Sequence, residues 1–172
     1  MDKGNKSWLV EQSFVWDELY KYDFIKNIHF IKGCTLYEDV IFWSSVLFRK
    51  PKTVIIKLPL SSYTENPKSA LHTVNHIKNC NNALIVVEHT FSDKKKKELS
   101  WLNHYRWRKH FLWVFIPRIY SSLKRIEDKD AFEKAVKKTN ILKSKGMFDN
   151  PPDFHAWRKR RRLFKFLEKL DS

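Results

Sequence analysis

The sequence predicts a helix-rich α+β fold, and three observations carry that prediction. Apolar residues recur at helical spacing through most of the chain after residue 68, and the one convincing strand lies before that point. Glycine occurs only at Gly4, Gly33 and Gly146. So few glycines argue against a turn-rich all-β fold. They also exclude a P-loop or a dinucleotide fingerprint, both of which need several closely spaced glycines. At 172 residues with a 42% apolar share, the chain is long enough for one core.

Taken in order, Met1 to Ser7 is polar. Ser13 to Tyr20 reads as a short helix with Ser13 as N-cap and with Phe14 or Val15, Leu19 and Tyr22 on its buried side. Ile28-His29-Phe30 alternates as a short strand, and Gly33-Cys34-Thr35 reads as a turn. A helix is expected from Glu38 to about Phe48, ended by Arg49-Lys50-Pro51-Lys52. Thr53 to Leu58 is β-branched and apolar, the best strand in the chain, and Pro59 stops it. Beyond Lys68, Leu71, Val74 and Ile77 recur at helical spacing, and an apolar run covers Ala83 to Val87. A further helix opens at Lys94 to Lys97 and runs through the aromatic block Trp107 to Phe115, where Pro117 kinks or ends it. Two more are expected, from Asp130 to Leu142 and, after Asn150-Pro151-Pro152, from Asp153 to Leu170.

The formal net charge of +15 implies an anionic partner: a nucleic acid, an acidic membrane surface or a phosphorylated substrate. Cys34 and Cys80 give no disulfide framework and fit a reducing compartment. The longest apolar run, Phe111 to Ile116, is too short to cross a bilayer. A cytoplasmic protein, soluble or peripheral on the inner face of the membrane, is expected.

Against this basic background the adjacent carboxylates Glu38 and Asp39, at the head of Val40-Ile41-Phe42-Trp43, stand out. Two readings fit them. Acids in the first turn of a helix are favoured by its dipole. Alternatively, one carboxylate is held at the floor of a cleft as a general base, partly desolvated by Val40, Phe42 and Trp43.

Three other constellations have a plain reading beside a functional one. His72, His76 and Cys80 share one helical face at i, i+4 and i+8, but zinc needs a fourth ligand, so packing or solvation is favoured. His104 to His110 interleaves aromatic and basic residues, a pattern of base-stacking surfaces and, more often, of core aromatics covered by basic stems. Arg158, Lys159, Arg160, Arg161 and Arg162 lead into Leu163, Phe164, Phe166, Leu167 and Leu170. That is a charge run on a docking helix or a basic amphipathic anchor for an anionic membrane surface.

The order Val15 to Tyr20, Ile28-His29-Phe30 with Gly33, and Tyr37 to Phe42, followed by Leu60-Ser61-Ser62-Tyr63 and Asn66-Pro67-Lys68-Ser69, resembles the acceptor-side half of bacterial family-2 glycosyltransferases of GT-A fold. The resemblance covers roughly residues 14 to 72, and its specificity lies in five short pieces in one order. It implies inverting transfer of a sugar from a nucleotide sugar to a surface-polysaccharide or lipid-linked acceptor. Asp39 is then the base, Glu38 its neighbour, Trp16 and Tyr37 sugar-stacking surfaces, and Tyr63 a packing residue beside the site. The resemblance further implies a partial GT-A-like domain over residues 1–72, with residues 73–172 a helical extension packed on it.

The family also implies a divalent metal, manganese or magnesium, held by an Asp-x-Asp motif in a donor-binding half. No ligands for it are identifiable here. The only Asp-x-Asp, Asp128-Lys129-Asp130, lies downstream of the acidic pair and reads as a helix start. A separate N-terminal donor-binding chain or a homo-oligomer is the implied complement. The alternative is a non-catalytic basic protein that binds nucleic acid or an anionic membrane surface.

Overall fold

The computed structural model describes residues 18–49, 52, 54, 62, 75–92, 101–149 and 154–170. These residues form six helices: α1 (Tyr22–Ile25), α2 (Glu38–Phe48), α3 (His76–Thr90), α4 (Trp101–Leu123), α5 (Lys129–Ser144) and α6 (Phe154–Glu168). No strand occurs among the described residues. The strand expected over Thr53 to Leu58 lies outside them except for Val54. Ile28-His29-Phe30 forms no ladder with any described segment. It packs through side chains instead: Ile28 is buried against Phe42 and Val46, and the Phe30 ring stacks on Phe42 at 4.9 Å.

The expected helix before α1 is also corrected in its described part. Residues 18–21 are irregular, and Leu19 and Tyr22, placed on a buried side by spacing, are exposed. Phe24 and Ile25 take that role by packing against Phe42 and Val46.

The centre of the fold is α4, which packs against α3 on one side and α6 on another, with α5 against α3 and α2 against α3. One core cluster runs from Cys34, Val40, Ile41 and Trp43 through Leu84, Val87, Phe111, Phe115 and Ile119 to Leu163 and Leu167. It joins residues from both sides of position 72. Aromatic pairs set its geometry: Phe111 stacks on Phe115 at 5.6 Å and meets Phe91 edge-on at 6.3 Å.

Local chemistry explains where the helices begin and end. Asn75 caps α3, its side chain accepting from the Lys78 amide at 2.8 Å. Asp128 caps α5 in the same way, through the Ala131 amide at 2.6 Å. After α5, the Gly146 amide bonds to the Lys143 carbonyl and the Met147 amide to the Leu142 carbonyl, while Gly146 takes φ +66°. This is a Schellman ending, with the buried Met147 and Leu142 at its apolar contact positions.

Pro117 does not end α4, which continues to Leu123. Its missing N–H leaves the Trp113 carbonyl without a helical donor. The Lys159 ammonium, reaching over from α6, donates to that carbonyl at 3.3 Å.

A candidate acidic site at the head of the second helix

Glu38 and Asp39 occupy the first turn of α2, as the sequence predicts. Behind them the helix is apolar almost all round. Val40, Ile41, Trp43 and Phe48 join the main core, and Phe42 and Val46 join the smaller cluster around Ile28. Ser44 and Ser45 do not interrupt it, because their hydroxyls donate back to the Val40 and Ile41 carbonyls at 2.6 and 3.0 Å. The acidic pair is therefore carried on a rigid, buried element.

Three contacts place that element. Asn82 of α3, 3% exposed, accepts through its Oδ1 from the Thr35 and Leu36 amides at 2.8 and 3.1 Å. Its Nδ2 donates to the Lys78 carbonyl at 2.7 Å. Glu18 accepts from the Trp43 indole at 3.1 Å and from the Tyr20 hydroxyl. Arg49 ends α2 by donating to the carbonyls of Phe24 and Asn27. Neither Asn82 nor Glu18 is singled out by the sequence motifs. Spacing gives no signal for Asn82, which has Lys78 and Asn79 one turn behind it and Val86 one turn ahead.

Tyr37, immediately before the pair, has φ +66°. The left-handed region is costly for a side chain with a Cβ, by roughly 1 kcal/mol or more. The ring is fixed by tertiary contacts, meeting Phe115 edge-on at 5.3 Å with the Arg118 guanidinium 5.3 Å over it. Gly33, at φ +86°, turns the chain just upstream. Trp16 and Tyr63, the other residues expected around a sugar, lie outside the described residues.

Asp39 is half-buried, and one of its carboxylate oxygens accepts from the Val40 amide at 2.8 Å. Burial raises its pKa above the ordinary aspartate range, the neighbouring Glu38 charge adds to the rise, and the Val40 amide opposes it. Neither carboxylate forms an ion pair among the described residues.

Burial pushes the Cys34 thiol up to about 11, with help from Glu38, and the Cys80 thiol up to about 12. Both thiols are buried. Native protein is therefore expected to react with iodoacetamide at pH 8 at least a hundredfold more slowly than unfolded protein at both positions, because the thiolate is the nucleophile. Peptide mapping after alkylation checks this, and rapid labelling of either cysteine in the folded chain contradicts it.

The remaining constellations separate in space. α3 begins at His76, so only His76 and Cys80 of the expected face fall within it, while His72 lies outside the described residues. Cys80 points into the core. Asp128 is spent on capping α5. No group of three His, Cys, Asp or Glu side chains able to hold a metal occurs among the described residues, and the donor set of a divalent ion is not met by them. Arg108, from the aromatic-basic block, turns inward at 8% exposure, sits 5.0 Å over Phe91 and donates to the Asp149 carbonyl. Burial lowers its pKa.

The basic run of α6 is divided rather than being one patch. Arg160 turns in to Asp149, at 2.8 Å, and to Phe164, and Lys159 turns to Trp113. Arg158, Arg161 and Arg162 point outward. Leu163 and Leu167 are buried in the core. The apolar face expected to anchor this helix in a membrane therefore docks on the protein itself. A surface groove along α5, lined by Phe132, Val136, Ile141 and Leu170, shares no residue with the acidic pair. No helix among the described residues is long and apolar enough to cross a membrane.

No protein-family model, curated protein or solved structure matches this chain.

Proposed function

We propose that the chain is the acceptor-side part of an inverting glycosyltransferase similar to family 2, with Asp39 as general base. The observation that supports this most is the setting of Asp39. It is a half-buried carboxylate in the first turn of a core helix, without an ion pair among the described residues and with its pKa raised by burial. A base works best when its pKa approaches the operating pH, and desolvation moves it in that direction. In the reaction, the Asp39 carboxylate takes the proton of an acceptor hydroxyl as that oxygen attacks the anomeric carbon. The nucleoside diphosphate leaves from the opposite face with the bonding pair. Glu38 keeps the neighbourhood negative and so favours the protonated product state of Asp39. The reaction also needs a donor-binding half with its divalent metal.

Calorimetric titration of the folded full chain tests this reading. Saturable heat with acceptor oligosaccharides, and none with nucleotide sugars plus manganese, is the expected result. Binding of a nucleotide sugar would identify a complete enzyme. Silence toward both ligand classes overturns the proposal.

A further inference from the structure

The outward side of α6 and the adjoining turn of α4 carry side chains that the core does not use. Phe154, Trp157 and Trp113 are 70%, 38% and 49% exposed, whereas Trp43 is 2% exposed. Their rings form two groups with cations, one around Trp157 and one around Trp113, flanking the basic side of the helix. Phe154 stacks on Trp157 at 5.7 Å, and Trp113 lies 6.1 Å from His155. The Arg161 guanidinium is 5.2 Å over Trp157, and the Lys159 ammonium is 4.2 Å over Trp113. Helical spacing places Phe154, Arg158, Arg161, Arg162 and Lys165 on one side of α6, opposite buried Ala156, Leu163 and Leu167. Glu168 is the single acid in that helix.

We infer that this face is a contact site for an anionic lipid surface, with the aromatic rings in the headgroup region and the cations on lipid phosphates. Tryptophan beside basic residues suits that boundary, where one part of the side chain meets hydrocarbon and the other stays wet. The ring faces argue against a nucleic acid. Bases stack on open aromatic faces, but Phe154 and Arg161 lie against Trp157, and Lys159 covers Trp113. The charge density argues against a protein interface, whose centre is depleted of charged residues. The mode differs from that of an amphipathic anchor, because the apolar side of α6 stays in the core and the helix binds without undocking. This inference stands independently of the transferase reading.

Cosedimentation of the full chain with phosphatidylcholine vesicles, with and without phosphatidylglycerol, tests it. Binding is expected only to the anionic vesicles and weakens as salt is raised. The double variant R161E/R162E is expected to bind at least about thirtyfold more weakly, from the attraction of each basic residue near such a surface. F154A/W157A is expected to bind about tenfold more weakly and to lose part of the tryptophan quenching by brominated lipid. All four positions are outside the core, so circular dichroism should match the parent. Indifference to phosphatidylglycerol overturns the inference, as does full vesicle binding by both variants. Tighter binding of single-stranded RNA than of vesicles, lost in F154A/W157A, would assign the face to nucleic acid instead.

Discussion

With a donor-binding complement supplied, Asp39→Asn is expected to lower sugar transfer by about 10²- to 10⁴-fold, the usual contribution of a positioned general base, while the protein stays folded. The asparagine Oδ1 can still accept from the Val40 amide, so the start of α2 keeps its local bond. What is lost is the ability to take a proton. The pH dependence has a definite sign. Transfer by the parent protein should fall as pH falls through the raised Asp39 pKa, since the protonated carboxyl is no base. Stability runs the other way. The folded state holds the Asp39 proton more tightly than the unfolded state, so this group's contribution is most favourable below the ordinary aspartate range. It is lost as pH rises through the raised folded value. Asp39→Asn removes that slope, and denaturation midpoints at acid and neutral pH would show it. Undiminished transfer by the well-folded variant would remove Asp39 from the mechanism.

The largest structural effect is expected at Asn82. Its Oδ1 is the acceptor for two amides of the segment that delivers the acidic pair, those of Thr35 and Leu36. Asn82→Leu keeps the branched shape, though with added bulk, and leaves both amides without that acceptor, and Leu36 is itself buried. Each stranded donor costs about 1–3 kcal/mol, so a loss of about 3 kcal/mol is expected, or roughly 10 °C in melting temperature at this chain length. Asn82→Asp retains an acceptor and should cost less, though it buries a charge. Thermal melting of the two variants checks the order. A melting temperature for Asn82→Leu within about 2 °C of the parent would mean that Asn82 does not hold this loop. If transfer depends on the placement of α2, the leucine variant loses activity even below its melting temperature.

How far the sequence could be read differs from helix to helix. The helix from Glu38 to about Phe48 was legible, because an acidic pair, a largely apolar run and a basic exit all agree. The helices over 129–144 and 154–168 were legible within two residues of their observed ends, through the Asp128 cap and the Pro-Pro break. Sequence alone also determined the large positive charge and the scarcity of glycine that makes a helical fold the natural outcome.

Tertiary structure decided the rest, because it depends on partners distant in sequence. Leu19 and Tyr22 have helical spacing, yet Phe24 and Ile25 pack because Phe42 and Val46 lie there. Asn82 has no evident local role until Thr35 and Leu36 arrive, 47 and 46 residues away. Pro117 reads as a kink or an end, and the helix continues past it with Lys159 taking the carbonyl it leaves open. The five consecutive basic residues read as one patch. Folding sends Lys159 and Arg160 to Trp113 and Asp149 and leaves Arg158, Arg161 and Arg162 facing outward. Local pattern sets which segments become helices, but a side chain's environment is fixed only when the helix opposite it is in place.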